Sequence, residues 1–362
     1  MRIAVITSGK YQTNGISTVI DNLYANNIFK EEHITFIFPI GSNAERIEKL
    51  KSFGYEVILL ERNSNPIRYY FRLKRILKEG RFDIVHVNGN SATNTVELLA
   101  SKRAKIPVRI MHNHNTRCSH PIINAIFKPI LNVYCNVRFA CSKEAGQFLF
   151  GKRNCTVINN GFNVASYKYD TDKRNQLRKQ FNIYDQTVIA HVGVFNYQKN
   201  HEFLLNVFFE YKKKNANAIL FLVGDGYMKA EIQSQAEKLG LIDSVIFAGN
   251  RKDVHELLNA FDYFIFPSRF EGLGIAPIEA QANGLPVLAS NRVPELVKIN
   301  NNFLFLPLED GEKAWSECLL SLPSTREENG VQNVALAGFD IESVVAKLHE
   351  TYKELMEINK CK

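Results

Sequence analysis

The 362-residue sequence contains no CxxC pair, no low-complexity tract, no GxGxxG and no GxxxxGK[ST]. Each absence narrows the reading. Six cysteines, Cys118, Cys135, Cys141, Cys155, Cys318 and Cys361, fall mostly inside apolar runs without paired spacing. That excludes a zinc ribbon or a disulfide framework and predicts reduced, buried thiols in a cytoplasmic protein. No segment supplies the ~20 apolar residues of a spanning helix. The start, "MRIAVITSGK", reads as a strand ending in a glycine turn rather than a signal peptide, so no membrane-crossing segment is expected. Without the two glycine-rich phosphate motifs, NAD binding and P-loop chemistry are disfavoured.

Apolar residues make up 45% and charged residues 23%, the balance of a chain that folds throughout. Its length suits two domains of ordinary size. The formal charge of +8 fits nucleic acid, anionic lipid or anionic small substrates. In "IRYYFRLKRILKEGR", helical spacing sets Arg68, Arg72 and Arg75 on one stripe beside Tyr69, Leu73 and Ile76. Residues 67–79 would suit peripheral contact with an anionic membrane, and equally a solvated helix face packed on its own sheet. Nucleic acid fits least, because the basic residues cluster beside apolar positions rather than around exposed stacking aromatics.

Short β-branched runs alternate with amphipathic stretches: "RIAVIT", "HITFIF", "EVILL", "DIVHV", "VRIMH", "VRFAC" and "CTVI", then "TVIAHVG", "AILFLVG", "SVIFAG", "DYFIF", "PVLA" and "FLFL". Apolar strands separated by helices predict parallel sheets covered on both faces, the doubly wound α/β class. The polar segment "ASYKYDTDKRNQLRKQF" reads as a linker, dividing a domain over 1–165 from one over 166–340. The last stretch, 341–362, reads as a helix that crosses back to complete the first domain. Two such domains are expected to face one another across a cleft that takes the ligand.

Three loops could hold it. In "TSGKYQTNGISTVIDNL", Asn14 and Gly15 open a helix whose first amides can bind an anion, although any turn after a strand can carry Asn-Gly. In "HVGVFNYQKNHEFLL", Lys199 can neutralise a diphosphate, or be an ordinary surface lysine. In "SRFEGLGIAPIEAQANGLPV", Pro277 falls in the first turn of a helix and Gly284 just past its end, so Glu271 lies on the preceding loop and Glu279 on the helix. The amides of Gly272, Leu273 and Gly274 suit an anion, and two ionised acids suit the hydroxyls of a sugar and a ribose. Together they predict a nucleotide sugar. "YDTDK", Asp170 to Asp172, matches a manganese-binding DxD pattern, but its place in a polar segment reads as solvated charge.

These residues resemble the donor-site signature of the retaining glycosyltransferases of family 4, whose GT-B fold has two Rossmann-like domains. The resemblance spans nearly the whole chain through the Asn14–Gly15 loop, "DIVHV", "CSKEA", "INNGFN", "QKN", "VGDG" and "EGLGIAPIEAQANGLPV". It is nearest to enzymes that build bacterial capsule, exopolysaccharide or O-antigen on a lipid carrier. It implies a nucleoside-diphosphate sugar donor, UDP-linked, and a saccharide or polyprenyl-diphosphate-saccharide acceptor. Glu271 would bond the transferred sugar, Glu279 the ribose, Lys199 the diphosphate, and the Gly272, Leu273 and Gly274 amides the sugar and diphosphate. Asn250, Arg251 and Val254 would border the base, while Asn14 and Gly15 would meet the distal phosphate. His112, or else His114, would lie near the reacting carbon. No metal or other cofactor is expected, and no protein base is demanded.

The pattern departs from the family in four places. Gly193-Val194 stands where an arginine usually shares the diphosphate, a loss that Arg251, Arg292 or the Asn196 amide would have to offset. Asn14 replaces a glycine, Asn163 an aspartate, and the acid usual near the histidine has no counterpart. Val194 therefore keeps open a non-catalytic nucleotide-sugar-binding partner subunit, and a sugar-nucleotide 2-epimerase remains a further alternative.

Overall fold

All thirteen β-branched or aromatic runs become parallel strands in the computed structural model, which describes residues 1–12, 14–25, 27–62 and 65–360. The chain forms two units, Met1–Phe162 with Gly338–Lys362, and Asn163–Ala337. These divisions fall three residues before the 165/166 and 340/341 boundaries expected from sequence. Cys361 lies outside the described residues.

In the first unit the elements run β1 (Arg2–Thr7), α1 (Gly15–Tyr24), β2 (His33–Pro39), α2 (Ala44–Ser52), β3 (Glu56–Leu60), α3 (Pro66–Gly80), β4 (Ile84–Gly89), α4 (Thr95–Arg103), β5 (Val108–Asn113), α5 (Pro121–Tyr134), β6 (Val137–Ala140), α6 (Lys143–Phe150) and β7 (Thr156–Val157). Strand order is β3-β2-β1-β4-β5-β6-β7. Residues of β1 point alternately into two cores, which is why its apolar run is continuous. Ile3 and Val5 join Ile20, Leu23 and Leu50 from α1 and α2. Ala4 and Ile6 join Leu73, Leu98, Leu131 and Leu149 from α3 to α6.

Asn14, Asn43, Asn65 and Ser142 cap α1, α2, α3 and α6 by accepting bonds from first-turn amides, each cap contributing typically about 1 kcal/mol.

The second unit runs α7 (Thr171–Gln180), β8 (Thr187–Val192), α8 (His201–Lys214), β9 (Ala218–Val223), α9 (Lys229–Lys238), β10 (Val245–Gly249), α10 (Val254–Leu257), β11 (Tyr263–Phe266), α11 (Ile275–Ala282), β12 (Val287–Ser290), β13 (Phe303–Leu306), α12 (Gly311–Ser321) and α13 (Gly330–Val334). Its sheet has the order β10-β9-β8-β11-β12-β13. In both sheets the chain reverses direction beside the first strand, between β1 and β4 and between β8 and β11. Loops diverge at such a switch point and leave room for a ligand at the strands' carboxyl ends.

The chain then returns as α14 (Ile341–Lys360), whose Val344, Val345, Leu348 and Tyr352 are buried in the α1–α2 core. Burying side chains of this size contributes roughly 1.5–3 kcal/mol each. Gly161 permits the approach, since a Cβ there would lie 3.0 Å from Val344 and 3.1 Å from the Ile341 backbone.

Two expectations need correction. The polar segment after residue 163 is no linker: it forms α7, which is fastened to its unit by polar bonds that hydropathy does not register. Arg174 and Arg178 bond Asp262, and their guanidinium groups also reach the carbonyls of Asn259, Phe261 and Ala260. Asp170 and Asp172 are exposed, as solvated charges are, and Asp170 in addition caps α7, accepting from the amides of Asp172 and Lys173. The cysteines also differ in part. The five described form no disulfide, but only Cys135 and Cys141 are buried, while Cys118, Cys155 and Cys318 are half-buried.

Candidate functional site

The "QKN" triplet after β8 and the loop after β11 are stitched together residue by residue. Asn200 sits in the left-handed region at φ 60°, a conformation asparagine tolerates better than most residues. Its side-chain amide donates to the Pro267 carbonyl over 3.1 Å. This turn starts α8 and points Lys199 back toward β11. Lys199 Nζ lies 2.6 Å from Glu271 Oε1 and 4.4 Å from the centroid of the Phe266 ring. Gln198 Nε2 donates to the other oxygen, Glu271 Oε2, over 2.8 Å. The Arg269 amide completes the seam by donating to the Gln198 carbonyl.

Glu271 is therefore a buried carboxylate with both oxygens held by protein. A carboxylate still has lone pairs left after two bonds, and an ammonium has further N–H groups, so the pair can remain joined while each contacts a ligand. Truncating either partner of such a pair leaves an uncompensated buried charge, a change that typically costs about 3–5 kcal/mol.

After Glu271 the chain passes Gly272, Leu273 and Gly274 into α11. Gly274, at φ 86°, occupies the N-cap position, where an L side chain would be strained; a Cβ would also lie 3.2 Å from Phe266. The first-turn amides of α11 point out of the helix without intrahelical acceptors, backed by its dipole. The Lys199 charge reaches this helix, since it lowers the Glu279 pKa.

Glu279 lies one turn into α11, half-buried. Tyr167 donates its hydroxyl to Glu279 Oε1 over 2.8 Å. Burial raises the Glu279 pKa above the ordinary carboxyl range, offset in part by the tyrosine bond and the Lys199 charge. Burial, then the adjacent Glu279 carboxylate, raises the Tyr167 pKa, keeping the hydroxyl a donor.

The remaining second-unit positions are less engaged with this pair. Asn250 is exposed after β10, Val254 starts α10, and Arg251 is bound twice by Asp253, at 2.8 and 2.6 Å. Arg292 pairs with Glu309 and the Asn196 side chain caps the Lys199 amide. Both arginines named above as replacements for the missing loop cation thus already have acid partners. Val194 itself is 41% exposed. The "VGDG" glycines serve packing: a Cβ on Gly224 or Gly226 would fall 2.1 Å from the Gly193 carbonyl oxygen or 2.3 Å from that of Phe195.

In the first unit, Asn14 caps α1 through its side chain, and a Cβ on Gly15 would meet nothing within 4 Å, so the helix start has open space. His112 lies inside β5, next to its last residue, and His114 just beyond the strand. Their ring centroids are 4.1 Å apart. His112 Nδ1 is 3.1 Å from His86 Nε2, and His114 Nε2 is 2.9 Å from Asn88 Oδ1. Burial, then neighbouring histidines, holds His112 well below the usual imidazole range, and burial holds His114 at about 3. Both are neutral near pH 7.

Sequence reasoning missed Gln198, Tyr167 and His86. The first signal lay in "QKN" itself. His86 was legible in "DIVHV", where its strand register sets it on the same face as Asn88 and beside β5. Tyr167 had no local signal, since its role depends on contact with a residue 112 positions away.

Residues 13–166 match the family model described as Glycosyltransferase Family 4, and residues 173–311 match Glycosyl transferases group 1. The chain is a family 4 glycosyltransferase of GT-B fold. EpsF of Bacillus subtilis is 27% identical over 97% of this chain and 96% of its own. An Escherichia coli UDP-Gal:alpha-D-GlcNAc-diphosphoundecaprenol alpha-1,3-galactosyltransferase is 23% identical over 80% of this chain and 79% of its own. Among solved structures, Anabaena HepE in complex with UDP matches with a TM-score of 0.79 and 20% identity, covering 98% of this glycosyltransferase and 100% of HepE. That likeness bears on the fold.

Proposed function

We propose that this glycosyltransferase moves a hexose from a UDP-sugar, with retention of configuration, to a lipid-linked or growing saccharide in bacterial surface-polysaccharide synthesis. The observation carrying this reading is the Lys199–Glu271 pair beside the amide-lined start of α11. A diphosphate accepts bonds from the ammonium and the amides, which stabilise the charge that grows on it as the glycosidic bond breaks. Glu271 orients a sugar hydroxyl, and Glu279, steadied by Tyr167, accepts from the ribose. Asn250, Arg251 and Val254 border the base, and Asn14 and Gly15 offer a second amide-lined helix start to phosphate. Retention follows if the departing phosphate oxygen takes the acceptor proton on the same face, leaving no protein base to assign. The ammonium and the helix amides supply the charge stabilisation for which other transferases use a divalent ion, so transfer without metal is proposed. UDP and the lipid-linked acceptor are the ligands in the names of HepE and the E. coli enzyme.

Turnover of UDP-sugars by the purified protein with EDTA present, and its loss in Lys199→Ala, tests this reading. Val194, together with the engaged Arg251 and Arg292, favours the second reading, a nucleotide-sugar-binding subunit without turnover. Binding without hydrolysis or transfer of any donor would select it, and a donor altered without an acceptor would select a 2-epimerase.

Peripheral membrane contact belongs to the same reading, with its site enlarged. No helix among the described residues is long and apolar enough to cross a membrane. On α3, Tyr69, Leu73 and Leu77 face the core, while Ile67 and Phe71 are exposed beside Arg68, Arg72 and Arg75. The larger apolar face is on α5, which shares its core layer with α3. There Ile122, Ile126 and Val133 are 77%, 61% and 65% exposed, and Ile123 and Ile130 lie alongside. Residues 62–153, which include both helices, hold 17 Lys and Arg against 4 Asp and Glu. An apolar stripe in so cationic a segment suits an anionic bilayer better than a second copy of the same charge.

A further inference from the structure

A chain of four polar groups crosses the core of the first unit. Tyr24 of α1 and Tyr352 of α14 have their hydroxyl oxygens 3.0 Å apart. The Tyr352 hydroxyl lies 2.5 Å from His86 Nδ1, and His86 Nε2 lies 3.1 Å from His112 Nδ1. All four residues are buried. His112 Nε2, at the end of the chain, has no hydrogen-bond partner among the described residues.

Proton counting gives the chain a direction. Both histidines are neutral, since burial holds His86 at about 3 and His112 well below its ordinary value, and burial keeps both tyrosines protonated. Each of the four groups therefore has one proton to place. If bonds run outward, Tyr24 donates to Tyr352, Tyr352 to His86 Nδ1, and His86 Nε2–H to His112 Nδ1. The only donor left over is then His112 Nε2–H. If they run inward, His112 Nδ1–H donates to His86, His86 to Tyr352, and Tyr352 to Tyr24. Among the described residues the Tyr24 proton then has no other acceptor, and His112 Nε2 still lacks a donor. A buried hydroxyl without an acceptor is unfavourable, so the inward order leaves two groups unmatched and the outward order one.

We propose that Tyr352 and His86 are positioning residues that fix the tautomer of His112, so that its Nε2–H is offered as a donor to an oxygen of the bound sugar. This rests on the glycosyl-transfer reading for its ligand, but the tautomer itself does not. The C-terminal helix thereby contributes to recognition, although its sequence contains no motif for it. An Nε2–H donor meets any sugar oxygen as acceptor, whereas a bare Nε2 would require a hydroxyl proton from the ligand.

Long-range 1H–15N spectra of ligand-free protein labelled with 15N-histidine read the tautomer directly, with His86→Gln and His112→Gln assigning the signals. The expected result is His86 and His112 both protonated on Nε2. His112 protonated on Nδ1 would overturn the proposal, and that measurement needs no variant for its outcome. Tyr352→Phe removes the donor to His86 Nδ1, so the second tautomer should rise to a tenth or more of the population and donor kcat/KM should fall about fivefold. Tyr24→Phe leaves Tyr352 its acceptor on His86 and should keep the wild-type spectrum. A Tyr352→Phe spectrum identical to wild type would overturn the role of Tyr352. His112→Gln, which keeps an N–H donor, should retain at least tenfold more activity than His112→Ala; equal losses would count against donation. The predicted tautomers in a protein that turns over no nucleotide sugar would support the relay and contradict glycosyl transfer.

Discussion

The two units carry opposite kinds of chemistry at the ends of similar sheets. The second holds 18 Lys and Arg against 21 Asp and Glu, yet its candidate site sets an ammonium against a carboxylate at 2.6 Å. The first holds 27 Lys and Arg against 16 Asp and Glu, yet the groups at the end of β5 are neutral histidines, one of them linked through His86 to Tyr352. Net charge and site charge are thus decoupled. An acidic unit can present a cationic anion site because one lysine and a helix start are local, while its acids are spent on ion pairs such as Arg174–Asp262 and Arg251–Asp253. The basic unit carries its surplus within residues 62–153, and the one acid buried there, Glu97, is paired with Arg62.

If that contrast governs function, removing the one ammonium should have the largest effect. Lys199→Ala is expected to lower kcat/KM for a UDP-sugar by about 10²–10³, the range for losing one charge-stabilising donor. It should also destabilise the fold by about 3 kcal/mol, because Glu271 is left buried and unpaired. Adding Glu271→Gln should recover much of the stability in denaturant titrations and none of the activity. Activity that survives Lys199→Ala would break the comparison.

On the first unit, Ile126→Asp should reduce sedimentation with phosphatidylglycerol vesicles by roughly tenfold or more, as expected when a buried aliphatic side chain is exchanged for a charge. Arg72→Glu with Arg75→Glu should have a smaller effect that disappears at high salt. Vesicle binding unaltered by either would remove the membrane from the account.

Glu279 sharpens the contrast further. Because its pKa is raised in the folded state, it contributes stability that is present below the ordinary carboxyl range and lost as pH rises through the folded value. Near neutrality its ionised form is therefore a net cost, and Glu279→Gln should raise thermal stability by about 1 kcal/mol while weakening UDP binding. Acidification of wild type toward the raised pKa should weaken UDP binding likewise, and Glu279→Gln should flatten that dependence in calorimetric titrations. Val194→Arg should have the smallest effect, a few-fold gain in UDP affinity, since the position is partly exposed and solvent screens the added charge.

Much of this was legible in the sequence because it depends on local pattern. The strands announce themselves as apolar runs, and α11 is framed by Pro277 and Gly284. Spacing alone put Glu271 on a loop and Glu279 on a helix. What could not be read depends on side chains meeting across distance. Hydropathy made α7 a linker, because Arg174 and Arg178 are held by Asp262 and by carbonyls rather than by apolar burial. The exposed face of α5 was hidden for the converse reason: "PIINAIFKPILNV" is apolar almost throughout, and only its packing shows Ile122 and Ile126 turned outward. His86 and Tyr352 are separated by 266 positions, and no spacing rule joins them.

These predictions depend on a nucleoside diphosphate being gripped in the second unit by Lys199 and the start of α11. Calorimetric titration of UDP into wild type and Lys199→Ala, each shown folded by circular dichroism, tests it most directly. The account predicts a saturable wild-type isotherm and at least a tenfold weaker one for the variant. Equal affinities, or no wild-type binding at all, would contradict it.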